Sequence, residues 1–382
     1  MAFQFATAGD IRFGRGTADG AAKAAQAFGT RVLVVHGRSS GRAQWLIDAL
    51  NAQGSTIATV STATEPDLEQ VDSAAAKARA FGAQVVVALG GGSVIDLGKA
   101  VAALAPADGP ALRYLEVVGD GQPLPANPLP MIAVPTTAGT GAEVTKNAVI
   151  SVPAHRQKVS LRDARMIPDI AIVDPALTDG APGMVTFSSG LDAVTQVIEP
   201  FLSSRASALT NALCVDAIPR GLGAMARLSR GEDPGARDDI ALTSLLGGMA
   251  LANAGLGAVH GLAGVIGGRT DAPHGAVCAA LLPAVLDFNA RHVAANSVAS
   301  QRIEQVFGWI AAALGGTAAN VPDTLAGFVR RVGVPTLDGL GLRREDFDAI
   351  ATAARSASSS RTNPVPPDDV DFHAILTAAF DG

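Results

Sequence analysis

Three residues in the second half of the chain carry side chains that could hold a divalent metal ion: Asp192, His260 and His274. Each histidine is followed by a glycine, in the segments GAVHGLAG and APHGAVCA. Carboxylate oxygens and imidazole nitrogens together suit Fe, Zn, Mn or Ni. Gln196 follows Asp192 by one helical turn, so both side chains would project from one helix face. Spacing alone leaves a second interpretation open, in which both histidines are buried residues with ordinary hydrogen-bond partners.

A glycine-rich turn in the first half of the chain could bind a phosphate. In AQVVVALGGGSVIDLGKAV, the apolar run 85–89 is typical of a strand buried on both faces. Gly91 and Gly92 would let the backbone turn tightly and approach a ligand. Ser93 is predicted to cap the next helix, with Asp96 near its positive end. Backbone N–H groups at a helix start suit a pyrophosphate, and a turn without a ligand is the alternative.

A second loop, PTTAGTGAEVT, places Thr136, Thr137 and Thr140 beside two glycines. Small hydroxyl residues and glycines can surround a diphosphate or a nicotinamide without steric conflict. Together with the first glycine-rich turn, this loop indicates a dinucleotide site in the first half of the chain.

The elements that must position these residues follow two patterns. The first half alternates apolar runs with helical spacing, which predicts a mostly parallel sheet. The predicted strands cover 31–37, 55–61, 85–89, 130–139 and 170–175, and the predicted helices cover 42–54 and 68–82. After about residue 180, Ala- and Leu-rich segments have 3.6-residue spacing, at 190–203, 207–227, 237–252, 258–266, 275–293, 299–314 and 322–332.

The fold class predicted from these patterns is α/β followed by all-α. Residues 1–179 are expected to form a Rossmann-like dinucleotide-binding domain, and residues 180–382 a helical domain for metal and substrate. The active site is expected in the cleft between the two domains. The polar segment 354–369 is predicted to be a loop near the C-terminus.

Composition excludes several classes of function. With 382 residues, 48% of them apolar and only 17% charged, the chain can build two large cores and is not disordered. The net charge of −6 and the absence of a basic run argue against nucleic acid or anionic membranes as partners. No apolar run is long enough to span a bilayer, and no signal peptide pattern opens the chain, so we expect a cytoplasmic protein. The two cysteines, Cys214 and Cys278, are expected to be reduced, buried thiols.

Six motifs, taken in order, resemble the iron-containing alcohol dehydrogenase family: GGGSVIDLGKAV, VPTTAGTGAEVT, KVSLRDARMIPDIAIVDP, GLDAVTQVIEP, GAVHGLAG and APHGAVCAALLP. The likeness runs from Phe13–Gly14 to Asn363–Pro364. It implies a dinucleotide-binding domain joined to a helical metal-binding domain, an architecture shared with dehydroquinate synthase. It also implies a homodimer and hydride transfer between a nicotinamide cofactor and an alcohol or aldehyde, with a metal ion as Lewis acid.

The resemblance assigns roles residue by residue. Contacts to the pyrophosphate would come from Gly91, Gly92 and Ser93. The path of the adenine and nicotinamide would be lined by Thr136, Thr137 and Thr140. Asp96 would lie near the nicotinamide, and Lys158 near a ribose. Three of the family's four metal ligands, which also serve as catalytic residues, correspond to Asp192, His260 and His274.

Two departures from the family pattern bear on the chemistry. Gln196 stands where the family has a histidine ligand, and a neutral carboxamide binds first-row metals less tightly than imidazole. The ion, Fe or Zn, would then bind through Asp192, His260 and His274, with Gln196 or water as the fourth partner. In the alternative, no metal binds and one of the two histidines donates a hydrogen bond or proton to the substrate oxygen. Gly264 replaces a histidine that many relatives place near the substrate.

A third departure concerns the cofactor. Gly37 replaces an aspartate that in NAD-preferring relatives binds the adenosine ribose. Arg38, Ser39 and Ser40 follow and could receive a 2′-phosphate, so NADP is favoured over NAD. The alternative is an exposed arginine that tolerates either cofactor.

The predicted function is therefore an NAD(P)-dependent oxidoreductase that interconverts an alcohol and an aldehyde or ketone. A keto-acid reductase resembling maleylacetate reductase is one alternative, in which Arg162, Arg165 or Arg269 would hold the substrate carboxylate. A lyase resembling dehydroquinate synthase is another, and a non-catalytic nucleotide-binding protein is a third.

Overall fold

The computed structural model describes residues 2–155, 157–270 and 272–381. The chain divides into two units, each with its own internal packing. The first, called the α/β unit here, comprises Thr7–Thr137 and Ala142–Thr178. The second, called the helical unit, comprises the chain from Asp179 onward, the short segment Ala138–Gly141 and the residues up to Ala6.

The α/β unit is built on a six-stranded sheet in which all the neighbouring strands are parallel. Its strands are β1 (Asp10–Phe13), β2 (Arg31–Gly37), β3 (Thr56–Thr62), β4 (Val85–Gly90), β5 (Met131–Pro135) and β8 (Ile170–Val173). Their order across the sheet is β1-β8-β5-β4-β2-β3. The remaining two strands, β6 (Asn147–Val152) and β7 (Gln157–Arg162), form an antiparallel pair.

The predicted parallel sheet is confirmed. Its central strands show why it could be predicted from the sequence. Every residue of β4 and β5 is buried, so both strands are continuous apolar runs. The strand β1, a four-residue edge strand that is only partly buried, was not predicted, and neither was the pair β6–β7. In β6 the alternating residues Ala148, Ile150 and Val152 are buried, which is the period of a strand covered on one face.

Helices on the faces of the sheet are α1 (Ala21–Gln26), α2 (Gln44–Ala52), α3 (Leu68–Phe81) and α4 (Gly92–Leu104). Asp67 caps α3 by accepting a hydrogen bond from the Gln70 amide, and Gly82 ends it with a left-handed φ of 67°. The prediction that Ser93 caps α4 is wrong. The backbone is extended at Gly91, with φ −75° and ψ −175°, so the helix already begins at Gly92.

The helical unit confirms the predicted helical half of the chain. Its helices are α5 (Gly183–Leu202), α6 (Ala208–Leu228), α7 (Pro234–Ala254), α8 (Ala258–Gly267), α9 (His274–His292), α10 (Val298–Leu314), α11 (Val321–Arg331), α12 (Phe347–Ser356) and α13 (Asp369–Asp381). The last two were not predicted, and the predicted loop is shorter, lying between Ser356 and Asp369.

Within the residues that the structure describes, no single helix is both long enough and apolar enough to cross a membrane. The helices α7 and α8 meet those criteria only as a pair, and they are bent by 99° relative to each other.

Candidate active site

The residues predicted to bind the cofactor in the α/β unit follow three adjacent strands. Gly37, Arg38 and Ser39 follow or end β2, Gly91 to Ser93 follow β4, and Thr136 and Thr137 follow β5. Registers that pair His36 with Leu89 and Gly90 with Pro135 bring these strand ends to one edge of the sheet. From β2 the chain adds β3 on one side and β4 on the other, which makes a topological switch point. Open parallel sheets bind ligands in the crevice at such a point.

The start of α4 lies at this edge. Its first N–H groups have no intrahelical carbonyl partner, and Gly91 provides no side-chain cap. A Cβ built on Gly91 would lie 3.2 Å from Thr137 Oγ1, so the loops after β4 and β5 are in close proximity. Glycine at this position keeps the helix start open to an approaching anion.

Other predicted cofactor residues are distributed around this edge. Arg38 and Ser39 are exposed. Asp96 Oδ2 accepts a hydrogen bond from the Val149 amide at 3.1 Å, which ties α4 to β6. Lys158 Nζ forms an ion pair of 2.5 Å with Glu65. Thr140 belongs to the segment Ala138–Gly141 and thus to the helical unit.

The three residues predicted to bind a metal ion lie close together inside the helical unit, and Cys278 lies beside them. Asp192 on α5, His260 on α8, and His274 and Cys278 on α9 place one ligand atom each within 4.8 Å of all the others. Asp192 Oδ1 lies 3.3 Å from His260 Nε2 and 4.0 Å from His274 Nε2. Cys278 Sγ lies 3.6 Å from His274 Nε2. These four residues are called the ligand cluster below.

The donor atoms of the ligand cluster are suited to a cation. Asp192 Oδ1 and His260 Nε2 are buried, and neither makes a hydrogen bond to any group in the described part of the chain. Buried polar atoms are rarely left without a partner, and a metal ion would satisfy both at once. Thiolate, imidazole and carboxylate are together the donors that zinc and related ions prefer.

The close approach of these donor groups shifts the pKa values of Asp192 and His274. Burial opposes ionisation of Asp192, but contact with His260 and the nearby His274 holds the pKa of this carboxyl below its usual value. The electrostatic interaction with Cys278 raises the pKa of His274 to about 9, against the opposing effect of burial.

Glu199 is a functional residue that sequence reasoning missed. Its Oε2 lies 2.6 Å from His260 Nδ1, and its Oε1 accepts a hydrogen bond of 2.7 Å from the Val259 amide. The carboxylate thus holds a proton on Nδ1 and leaves Nε2 as the ligand atom. Asp192, Gln196 and Glu199 have i, i+4, i+7 spacing, so a search of the Asp192 face of the helix would have found it.

The start of α8 is held by the same groups. Asn363 Oδ1 accepts a hydrogen bond of 3.2 Å from the Ala258 amide, beside the Val259 bond to Glu199. These two side chains supply partners for N–H groups of the first helical turn, which have none within the helix. His260 is therefore fixed through both its backbone and its ring.

Gln196, predicted as a fourth ligand, is buried and donates its amide hydrogen to the Gly139 carbonyl. That bond ties α5 to the segment Ala138–Gly141, and the ligand role of Gln196 stays a prediction. Cys278 was assigned only as a free, buried thiol, which it is. Its position one turn after His274 on α9 was the available signal that it shares the histidine's face.

The arginines considered for a substrate carboxylate each have a carboxylate partner in the protein. Arg162 pairs with Glu116 at 4.0 Å, Arg165 with Asp163 at 2.8 Å, and Arg269 with Asp346 at 3.5 Å. These ion pairs do not favour the keto-acid alternative.

The glycine that follows His274 is required by packing. A Cβ built on Gly275 would lie 2.3 Å from the Ser188 carbonyl oxygen on α5, far inside contact distance. A rigid backbone group cannot give way as a flexible side chain can. Gly275 therefore lets the start of α9 approach α5, and this approach brings His274 to Asp192.

Gly275→Ala is expected to separate these helices. Because the new methyl group would overlap backbone, we expect the free energy of unfolding to fall by about 1–3 kcal/mol and the affinity for Zn²⁺ to fall with it. Denaturant unfolding and chelator competition measure the two effects. Gly264→Ala on α8 is the matched control, since a Cβ there meets nothing within 4 Å. The control should be neutral or more stable by about 0.5–1 kcal/mol, and equal behaviour of the two variants would contradict the packing argument.

A Rossmann-like parallel sheet with a switch-point crevice, and a helical unit with a carboxylate–histidine cluster, are the features of a dinucleotide- and metal-dependent enzyme. Residues 8–175 match the family described as iron-containing alcohol dehydrogenase, and residues 186–380 match the C-terminal part of the Fe-containing alcohol dehydrogenase family. The chain belongs to the iron-containing alcohol dehydrogenase family.

Individual relatives agree with this assignment. The chain is 34% identical to a 4-hydroxybutyrate dehydrogenase of Cupriavidus necator, with 88% of each chain covered. It is 35% identical to long-chain-alcohol dehydrogenase 1 of Geobacillus thermodenitrificans, over 83% of this chain and 80% of the relative. A crystal structure of 1,3-propanediol oxidoreductase superposes over the full length of both chains with a TM-score of 0.89 and 28% identity.

The predicted class of enzyme is thereby confirmed: the chain is an oxidoreductase of the alcohol dehydrogenase type. Family membership implies a nicotinamide cofactor and a metal ion of the iron type.

Proposed function

We propose that this enzyme interconverts a small alcohol and its aldehyde or ketone, with NADP(H) as the preferred cofactor and Fe or Zn held by Asp192, His260 and His274. The observation that carries the metal site is the pair of buried atoms, Asp192 Oδ1 and His260 Nε2, which lack hydrogen-bond partners across the described residues.

When bound, the metal ion would act as a Lewis acid that stabilises negative charge on the substrate oxygen. The residues of the chain have distinct tasks around it. Asp192 supplies the anionic ligand, and Glu199 orients the His260 ring through Nδ1. His274 has a side chain that is 33% exposed, whereas those of Asp192 and His260 are nearly inaccessible, so a substrate would approach on the His274 side.

In the α/β unit, the pyrophosphate is proposed to bind the free N–H groups at the start of α4, next to Gly91. The support is the switch-point topology and the absence of a side-chain cap on this helix. The edge formed by β2, β4 and β5 would then orient the dinucleotide along Thr136 and Thr137.

Preference for NADP(H) is proposed from the residues that follow β2. Gly37 carries no carboxylate to repel a 2′-phosphate, and the exposed Arg38 and Ser39 could bind one.

Arg38→Ala is expected to raise the KM for NADPH by about 10- to 100-fold, since a hydrogen bond to a charged group contributes about 1.5–3 kcal/mol. The KM for NADH should stay within about twofold, because NADH has no group for the guanidinium to bind. Initial-rate kinetics with both cofactors measure the difference. Arg343→Ala, which removes an exposed arginine of the helical unit, is the control. Equal changes in both KM values would refute the assignment.

The reaction is tested by following NADPH oxidation in the presence of aldehydes, ketones and keto acids, with enzyme stripped of metal and reloaded with Zn²⁺ or Fe²⁺. Net oxidation with a simple aldehyde supports the proposal. If only keto acids are turned over, the proposed substrate class is wrong and the enzyme is a keto-acid reductase. If NADPH binds and no substrate is turned over, the proposed function is refuted. The resemblance to the family also supports a homodimer, which light scattering of the purified enzyme would test.

A further inference from the structure

The ligand cluster contains one more donor than the family resemblance assigned in this chain. Cys278 is fully buried on α9, one helical turn after His274, with its Sγ 3.6 Å from His274 Nε2. Residues one turn apart share a helix face, so both side chains point at the same place. Asp192 and His260, which complete the cluster, each present a buried atom without a hydrogen-bond partner in the parts of the chain that are described.

Two distances in the ligand cluster match those between ligands of one tetrahedral metal ion, and a third, from Asp192 Oδ1 to His274 Nε2, is longer at 4.0 Å. With metal–sulfur bonds of about 2.3 Å and metal–nitrogen bonds of about 2.0–2.1 Å, a tetrahedral ion separates sulfur from nitrogen by about 3.6 Å, and nitrogen from oxygen by about 3.3 Å. The separation of Cys278 Sγ from His274 Nε2 is 3.6 Å. The separation of Asp192 Oδ1 from His260 Nε2 is 3.3 Å.

The Gln196 side chain is held by a hydrogen bond outside the ligand cluster. Its amide nitrogen donates to the Gly139 carbonyl, and both groups are held in the packed interior of the helical unit. A carboxamide is also the weaker donor, because it is neutral where a thiolate carries a full negative charge.

We propose that Cys278 is the fourth protein ligand of the metal ion, so that the site of this enzyme is Asp192, His260, His274 and Cys278. The proposal rests on the proposed function, because it requires the metal site to exist. Coordination forms a metal–sulfur bond and breaks the S–H bond, and the proton leaves to the solvent.

A thiolate in this position changes which ion the site selects. Soft sulfur ligands favour zinc and cobalt over harder ions such as manganese. We therefore expect the enzyme to bind Zn²⁺ at least about 10³-fold more tightly than Mn²⁺, and Cys278→Ser to reduce that ratio.

Cobalt reports the sulfur ligand directly. The metal-stripped enzyme is titrated with Co²⁺, which gives visible bands in any low-symmetry site and an intense near-ultraviolet charge-transfer band only with a thiolate ligand. We expect both sets of bands in the native chain. Cys278→Ser should keep the visible bands, with weaker Co²⁺ binding, and lose the charge-transfer band.

Cys214→Ser is the matched control. Cys214 is equally buried on α6, where burial raises the pKa of its thiol to about 12, and it is not in the ligand cluster. This variant should keep the charge-transfer band. Gln196→Ala tests the competing ligand and should leave the band and the Co²⁺ affinity nearly unchanged.

The outcomes separate this proposal from the one it rests on. Co²⁺ binding with visible bands and no charge-transfer band in the native chain would overturn the role of Cys278 and leave the metal site intact. A band that survives Cys278→Ser, or a larger loss of affinity in Gln196→Ala than in Cys278→Ser, would also overturn it. Absence of Co²⁺ binding in the native chain would overturn the metal site itself. X-ray absorption of the Zn²⁺-loaded native enzyme needs no variant and should show one sulfur at about 2.3 Å.

Discussion

The Asp192→Asn variant is expected to purify without stoichiometric metal and to turn over alcohols about 10³-fold more slowly than the native enzyme. A Lewis acid contributes several kcal/mol to such a reaction. Each 1.36 kcal/mol of activation free energy changes the rate about tenfold. The substitution keeps the shape of the side chain and removes its charge. Asp192 Oδ1 is the carboxylate oxygen that faces both histidines, and nothing else in the described structure satisfies it.

The measurements are the metal content of the purified protein and kcat for an alcohol under saturating cofactor. Asp216→Asn, at an exposed carboxylate on α6, controls for the loss of one negative charge. NADPH binding should survive in both variants, since the cofactor residues other than Thr140 lie in the α/β unit. Native metal content and native kcat in the Asp192→Asn protein would contradict the assigned site.

Glu199→Gln is expected to weaken Zn²⁺ binding by about 10- to 100-fold, the range seen when a group that orients a metal-bound histidine is lost. The native carboxylate accepts from both Val259 N–H and, in the assigned tautomer, His260 Nδ1–H. A glutamine that keeps the bond to Val259 turns its NH₂ group toward Nδ1. That arrangement favours the tautomer with the proton on Nε2, which cannot bind the metal.

A purely structural role would give a different result. Glu199→Gln should unfold at nearly the native denaturant concentration when both proteins lack metal, because its shape and one hydrogen bond are kept. Glu199→Ala leaves the Val259 amide and the His260 ring unpaired in the interior, so its free energy of unfolding should fall by about 3 kcal/mol or more. Parallel losses of stability and metal affinity in the glutamine variant would show that Glu199 only supports the fold.

The fold could be predicted where a strand is buried throughout or a helix is buried along one regular face. The strands β4 and β5 are apolar throughout because they lie inside the sheet, and the helices α5 to α11 repeat apolar residues at the helical period. The strand β1 has four residues and two exposed ends, too short to differ from a loop. The pair β6–β7 is covered on one face only, so its buried residues alternate with more exposed ones and form no continuous apolar run.

The candidate site could be predicted in part. Asp192, His260 and His274 could be assigned because they lie in the family motifs GLDAVTQVIEP, GAVHGLAG and APHGAVCAALLP, whereas their spacing alone left two ordinary buried histidines as the alternative. Glu199 and Cys278 were missed for the same physical reason, which is that their partners are distant in sequence. Glu199 meets His260 only where the end of α5 comes next to the start of α8, and Cys278 joins the cluster only because α9 packs against α5.

The most direct test is a crystal structure of the enzyme with Zn²⁺ and NADPH, phased at the zinc absorption edge. We expect the anomalous peak to mark a zinc ion bonded to Asp192 Oδ1, His260 Nε2 and His274 Nε2. We also expect a dinucleotide whose pyrophosphate contacts the backbone at Gly92 and Ser93. A peak at any other position, or a dinucleotide away from the ends of β2, β4 and β5, would contradict the assignment of this site.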